Sequence, residues 1–217
     1  ANKPTISVHP RTGDGIVARI DRAIAGTNGF EVLAPGGKAS LGLGNIANTF
    51  AGAVVVGNGS DLVMLRTDNN SSLGTKDALT TATSSSDPAF LAFSNYTQVN
   101  SGGTLNINGN RNLGTELVKV QGAGWDGNGA LTNTSTTGAQ NAFQQVQLLG
   151  DTTFGGAGRW DIRTGTAATG RLFQDGFTLT KTGANQVSLV NVNVIGGGDS
   201  NVNQGVFAIE VGSIIGG

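Results

Sequence analysis

Apolar and polar residues alternate along this chain in short runs, and almost every run is closed by Gly, Asn or Asp. The early runs are Gly15–Ile20, Phe30-Glu31-Val32-Leu33, Ala39-Ser40-Leu41-Gly42-Leu43, Ala53-Val54-Val55-Val56 and Asp61–Arg66. The same rhythm continues in Thr104–Asn108, Leu117–Val120, Val146–Leu149, Trp160–Arg163, Phe177–Thr180, Val187–Val190 and Val206–Val211. A period of two bounded by turn residues predicts β-strands of about four to six residues each. Two stretches depart from the rhythm. Gly138–Gln145 has no β-branched residue and is expected to form one helical turn. Thr75–Asp87 is rich in Thr, Ser and Ala, runs into Pro88, and reads as an exposed loop. Neither marks a domain boundary, so residues 1–217 are read as one domain. Residues 1–24 are read as an N-terminal cap or linker, with a short helix over Ala18–Ala23.

Internal repetition bears on how the strands assemble. Gly29-Phe30-Glu31-Val32 and Gly36 match Gly176-Phe177-Thr178-Leu179 and Gly183 at equal offsets. Ser40-Leu41 and Ser188-Leu189 follow, one residue out of register. Val-x-x-Gly occurs at Val56, Val99 and Val202, at spacings near two and five times a coil of about 21 residues. Stacked coils let each short strand pair above and below at about 4.8 Å. Gly and Asn at the corners supply the positive φ of sharp turns, and Asn amides can bond from coil to coil in ladders. The expected fold is therefore all-β: a right-handed parallel β-helix (β-solenoid) with coils of about 20–24 residues. Its interior is expected to include Phe30, Val32, Leu41, Leu105, Leu179, Leu189 and Ile209. An antiparallel β-sandwich shares the short strands and turns and is the competing architecture.

Composition narrows the function classes. Only 12% of residues are charged, the formal net charge is -1, and Gly numbers 36, well above the usual share of about 7%. Such a chain lacks the clustered Lys and Arg that nucleic acid or anionic lipid requires. Cysteine is absent, which removes disulfides and thiolate metal sites. No apolar run approaches the roughly 20 residues that span a membrane.

Gly176-Phe177-Thr178-Leu179-Thr180-Lys181-Thr182-Gly183-Ala184-Asn185-Gln186-Val187-Ser188-Leu189-Val190, followed by Val202-Asn203-Gln204-Gly205, resembles the autotransporter-associated β-strand repeat. The Asn48-Thr49-Phe50-Ala51-Gly52 turn, Gly102-Gly103-Thr104-Leu105 and Gly158–Arg163 extend the resemblance over most of Ile24–Val211. It departs from the repeat between Asn191 and Asn201, where the Asn-Thr-Tyr/Phe turn is missing. The resemblance implies a parallel β-helix exported to the outer surface of a Gram-negative-type bacterium. It also implies a section of a long stalk involved in adhesion, aggregation or matrix formation, and it supplies no catalytic motif.

Candidate chemistry is sparse. His9 is the single histidine, so Ser-His-Asp and multi-histidine metal sites are unavailable, and its place between Val8 and Pro10 reads as a solvated residue. Gly122-Ala123-Gly124-Trp125-Asp126 matches one unit of a calcium-binding β-roll, but such a site needs stacked copies; no metal or cofactor is expected. Asp151, Arg159, Asp161, Arg163, Arg171 and Asp175 form the densest charged group and are where a lyase-like Asp/Arg centre would lie. Cross-coil Asp–Arg pairing on a solvated face is the plainer account of that group. Trp125 and Trp160 are candidate glycan contacts or half-buried packing anchors. Finally, Ser213, Ile214 and Ile215 form a bare strand, and an uncapped solenoid edge invites pairing. The sequence thus points to a non-enzymatic structural protein whose partners are copies of itself or further coils, with surface glycans next. A β-helical polysaccharide-binding adhesin, or a polysaccharide lyase or hydrolase, is the alternative.

Overall fold

The computed structural model describes residues 3–10 and 17–216. Gly15 and Ile16 of the first expected strand, and the terminal Gly217, lie outside the described residues. The described chain is a parallel β-solenoid of eight coils and the start of a ninth. The first coil holds β1 (Thr5–Ser7) and β2 (Val17–Ile20), the second β3 (Phe30–Leu33) and β4 (Ala39–Leu43), the third β5 (Val54–Val56) and β6 (Val63–Thr67). A long excursion carrying α1 (Pro88–Leu91) leads to β7 (Tyr96–Val99) and β8 (Gly103–Asn106). The fifth coil has β9 (Leu117–Gly122), β10 (Leu131–Asn133) and β11 (Ala139–Phe143). The sixth has β12 (Gln145–Gly156), which bends through a corner to serve two sides, and β13 (Trp160–Arg163). The seventh has β14 (Gly170–Phe173), β15 (Leu179–Lys181) and β16 (Gln186–Val190). The eighth has β17 (Val192–Ile195), β18 (Ser200–Val202) and β19 (Val206–Ile209), and β20 (Ile214–Ile215) opens the ninth.

These strands stack into three sides. Side one is β1-β3-β5-β7-β9-β12-β14-β17-β20, side two is β2-β4-β6-β8-β10-β12-β15-β18, and side three is β11-β13-β16-β19. Each strand's alternation sends one set of side chains into the lumen, and register then stacks like on like. Ile6, Val32, Val56, Val99, Val120 and Leu148 form one column. Leu41, Leu65, Leu105, Leu131 and Phe154 form another. Of the expected interior set, Phe30, Val32, Leu41, Leu105, Leu179 and Leu189 are buried. Ile209 is 50% exposed, because its strand lies in the last complete coil and nothing among the described residues stacks beneath it.

On side one the steps from Thr5 to Glu31, Val55, Gln98, Lys119, Gln147, Phe173 and Ile195 take 26, 24, 43, 21, 28, 26 and 22 residues. Several coils are thus longer than the expected length. The 43-residue step is a single coil with an excursion, not two coils: Val56 pairs directly with Val99. The sequence match of Phe30 with Phe177 also crosses sides, since Phe30 opens a side-one strand while Phe177 leads into β15 on side two.

Three local expectations are corrected. Val17–Ile20 is a strand, as the Gly15–Ile20 run predicts, and the short helix over Ala18–Ala23 does not form, because Ala18 and Ile20 take their places beside Leu41 and Leu43 on β4. Ala139–Phe143 is a strand, not a helical turn. Its register against β13 shifts between Ala139 and Phe143, so Gln140 and Asn141 bulge out exposed while Ala142 and Phe143 stay buried. The Thr75–Asp87 segment is not simply exposed: it forms one leg of the 68–95 excursion, with Thr80 and Ala82 buried.

In the first coils side three has no strand, and Asn side chains hold it instead. Asn45 Nδ2 donates to the Asp21 carbonyl at 2.7 Å, and Asn69 repeats the bond one coil on, to the Asn45 carbonyl. Each Asn Oδ1 meanwhile accepts from its own turn, from the Ala47 and Ser71 amides. Buried Asn48 ties Ile24 N–H above to the Ser72 carbonyl below. The ladders run from amide to main chain, not from amide to amide. Close coil contact also fixes Gly29: its φ is 59°, and a Cβ there would run into the Ala53 carbonyl.

Candidate functional site

The C-terminal end of the solenoid is where the fold leaves its chemistry open. β18, β19 and β20 each pair on one edge only, with β15, β16 and β17. Their other edge offers a rung of main-chain N–H and C=O groups. Their side chains are apolar and open to solvent: Val202, Val206 and Ile209 are about half exposed, Val211 is 79% exposed, and Ile215 is 58% exposed. A hollow of about 340 Å³ lies between them, walled by Leu189, Val194, Val202, Phe207, Ile209 and Ile215. Ser213 is anchored within the fold: its Oγ accepts from Val192 N–H at 3.1 Å and donates to the Leu189 carbonyl at 3.0 Å. The expected edge residues Ile214 and Ile215 therefore stand on a fixed strand, with Ile215 stacked on lumen Val194 at the rim of the hollow and Ile214 beside Asn193 on the other face. Val202, Val206 and Phe207 join this end too; the sequence marks Val206–Val211 as an apolar run but carries no sign that it stands at the open end.

The opposite end mirrors this. A hollow of about 240 Å³ is lined by Pro4, Ile6, Ile24, Phe30, Phe50 and the backbone of 25–29. Phe30 and Phe50 meet edge to face there, with centroids 5.0 Å apart.

The charged group does not converge. Asp161 is fully buried on β13 between two arginines of its own strand: Arg159 Nε at 2.8 Å and Arg163 Nη2 at 2.7 Å. Arg159 reaches on to Glu210 at 2.9 Å, two coils further. A hydrogen bond from Ser188, together with the nearby Arg159 and Arg163 charges, holds the Glu210 carboxyl below its usual range. Asp151 accepts from Thr178 N–H, and Asp175 accepts from Gln147 Nε2. Arg171 donates to the carbonyls of Ala82, Ala168 and Gly170. The pairing is thus mainly within one strand and around a buried carboxylate, in place of the expected solvated cross-coil face. Each charged group of this set is occupied by a structural partner: Arg159 bridges Asp161 and Glu210, while Asp151 and Asp175 bond elsewhere.

The two tryptophans part company. Trp160 is wholly buried in the lumen, with its Nε1 donating to the Gly155 carbonyl and Phe143 and Phe154 packed edge-on. That burial removes it as a sugar-stacking platform. Trp125 is half-buried on the outer surface, with Lys38 Nζ 4.7 Å from its ring centroid. Asp126 Oδ1 accepts from Asn128 N–H and closes a local turn. His9 is exposed. Among the described residues, no three His, Asp or Glu side chains gather as a cation cage, and no helix is long and apolar enough to cross a membrane.

Two buried ionisable groups escaped the sequence reading. Glu116 precedes β9 and is sealed from solvent; its Oε1 accepts from Thr97 Oγ1 at 2.7 Å and its Oε2 has no partner. Burial pushes its carboxyl up to about 8. Lys181 occupies a lumen position stacked under Phe154. Its Nζ donates to the carbonyls of Thr182, Gly183 and Gln204 at a corner, and burial pulls its pKa down to about 8. Lys181 falls at an inward place in the strand alternation, which was the available signal. Glu116 had none, since its burial depends on how a non-strand segment closes. No protein-family model, no curated protein and no solved structure matches this chain.

Proposed function

We propose that this chain is a structural β-solenoid module of an extracellular or cell-surface bacterial protein, resembling autotransporter-associated repeats. It works by length and by end-to-end pairing, without catalysis. The observation that carries this reading is the C-terminal rung, which combines an open main-chain edge with half-exposed aliphatic side chains around a hollow. Such an edge pairs with a further rung of the same kind. The N-terminal hollow around Ile6 and Phe30 offers a complementary apolar surface on the opposite end of the lumen. That further rung comes from more coils of a longer parent chain or from a second copy; head-to-tail contact between copies is heterologous and does not close, so it builds a filament. The dispersal of Asp151, Asp161 and Asp175 among structural partners supports the non-enzymatic part of the reading.

Two single-end variants test it. Ile215→Asp places a charge in the C-terminal hollow, and Ile6→Asp does so at the other end. The wild-type chain should grow into concentration-dependent oligomers by sedimentation velocity, and each variant alone should remain monomeric with an unchanged β-type circular dichroism spectrum. Mixed, the variants should stop at a dimer, since each retains one working end. A wild-type chain that stays monomeric at millimolar concentration, or variants that associate as well as wild type, would overturn the proposal.

A further inference from the structure

The loop that carries Trp125 is built, not slack. It joins β9 to β10 across residues 123–130, at a corner that β12 turns in the next coil without a break. Trp125 N–H donates to Thr104 Oγ1 at 2.9 Å, tying the loop to the strand two positions before Asn106. Gly129 N–H donates to the Ala123 carbonyl at 2.9 Å and closes the loop's neck. Gly124 has a φ of 87°, and a Cβ there would strike the Gly129 carbonyl, so only glycine lets the two legs approach this closely. Asp126 and Asn128 are locked by their own turn. The backbone that carries the indole is therefore held in place before any ligand arrives, which limits the ordering cost of binding.

Beside the ring lies a hollow of about 300 Å³, bordered by Trp125, Asp126, Asn128, Thr132, Thr134 and the bare backbone of Gly156. This is the small end of the range for ligand sites and matches about one or two sugar rings. Its floor stays flat for a packing reason: Gly156 has a φ of 128°, and a Cβ there would lie 2.6 Å from the Asn133 carbonyl. The wall is aromatic, and the rim carries hydroxyls, a carboxamide and one carboxylate. Lys38 Nζ stands 4.7 Å from the indole centroid. No lysine or arginine lines the site.

We propose that this hollow is a carbohydrate subsite for a neutral pyranose unit of a glycan. A pyranose offers an apolar face of C–H groups that packs on an indole, and equatorial hydroxyls that exchange hydrogen bonds with Asp, Asn and Thr. Asp126 is the one charged group that lines the hollow, while Lys38 stands against the indole, so a neutral sugar is preferred over the uronates of a lyase substrate. The site lies on the flank of the solenoid and does not depend on association of the ends.

Tryptophan fluorescence isolates the site, because Trp160 is buried and Trp125 is the only other indole. Acrylamide quenching of the wild-type chain should fall when cellobiose or N,N′-diacetylchitobiose is added at millimolar concentration. Trigalacturonate should leave quenching unchanged. Saturation-transfer NMR with the same probes should show affinity lowered at least about tenfold in Trp125→Ala, lowered less in Trp125→Phe, and lowered in Asn128→Ala, whose side chain is exposed and whose fold is retained. Failure of both neutral probes to protect Trp125 would overturn the proposal. So would undiminished binding by Asn128→Ala and Trp125→Phe together, or equal binding of trigalacturonate.

Discussion

Glu116 is a carboxyl placed where its charged form is least tolerated. One oxygen takes the Thr97 hydroxyl, the other has no donor, and the site is dry. Its pKa rises from an ordinary value of 4.5 to about 8 on folding. Across that window the folded chain keeps a proton that the unfolded chain has released. The group's contribution to stability is therefore full below about pH 4.5, declines as pH rises, and is gone above about pH 8. Glu116→Gln retains an acceptor for Thr97 and removes the titration. Urea unfolding at pH 5, 7 and 8.5 should show the variant gaining on wild type as pH increases, by a few kcal/mol at the top of the range. A difference that does not change with pH would mean that Glu116 is solvated in the folded chain. Lys181 differs in kind, because three carbonyls occupy its three donors.

At the scale of elements, the 68–95 excursion is a strap laid along the solenoid's flank. Thr80 N–H donates to Gln145 Oε1 at 3.0 Å, and Arg171 Nε donates to the Ala82 carbonyl at 3.1 Å, so one leg crosses successive coils of side one. Asp87 caps α1 by accepting from Ala89 N–H, and Pro88 fits the first turn. That short helix delivers Phe90 onto Phe173, with ring centroids 4.5 Å apart, in a small apolar cluster with Ala82, Leu117 and Ile195 outside the lumen. Phe90→Ala should release the strap while leaving the coils stacked. Limited proteolysis should then cut within 75–95 much faster than in wild type, with the far-UV circular dichroism unchanged. Equal cleavage rates would show that polar contacts hold the strap by themselves. The same excursion explains why sequence spacing misled: Val56 and Val99 are neighbours across one coil, and 43 residues between them look like two. Length along the chain does not distinguish a coil from a coil with an insertion.

For the whole molecule, stability rests on stacked columns and satisfied corners. Corner carboxylates already take main-chain donors: Asp61 from Ala34, Asp77 from Ser94 and Asn95, and Asp151 from Thr178. A metal that bound only the folded chain would raise its apparent stability. Neither chelator nor added calcium should move the melting temperature, and a shift of several degrees in either direction would point to a bound cation. Ile209 and Ile215 are half exposed at the C-terminal end of the described lumen.

The sequence by itself determined the strands, the parallel stacking class and most of the lumen. Alternation at Phe30-Glu31-Val32 or Leu105-Asn106-Ile107 is a local property, and burying one face of each run is its direct consequence. Tertiary structure decided what local pattern cannot carry. Ala18 and Arg19, and Ala139, Gln140 and Ala142, favour a helix locally, so pairing with β4 and β13 overrode propensity to make these segments strands. Trp125 and Trp160 have the same side chain. One became core and the other a surface wall, because β13 turns Trp160 into the lumen while an eight-residue loop holds Trp125 outside it. Burial of a side chain depends on what the rest of the chain stacks against it, and only the register between coils fixes that.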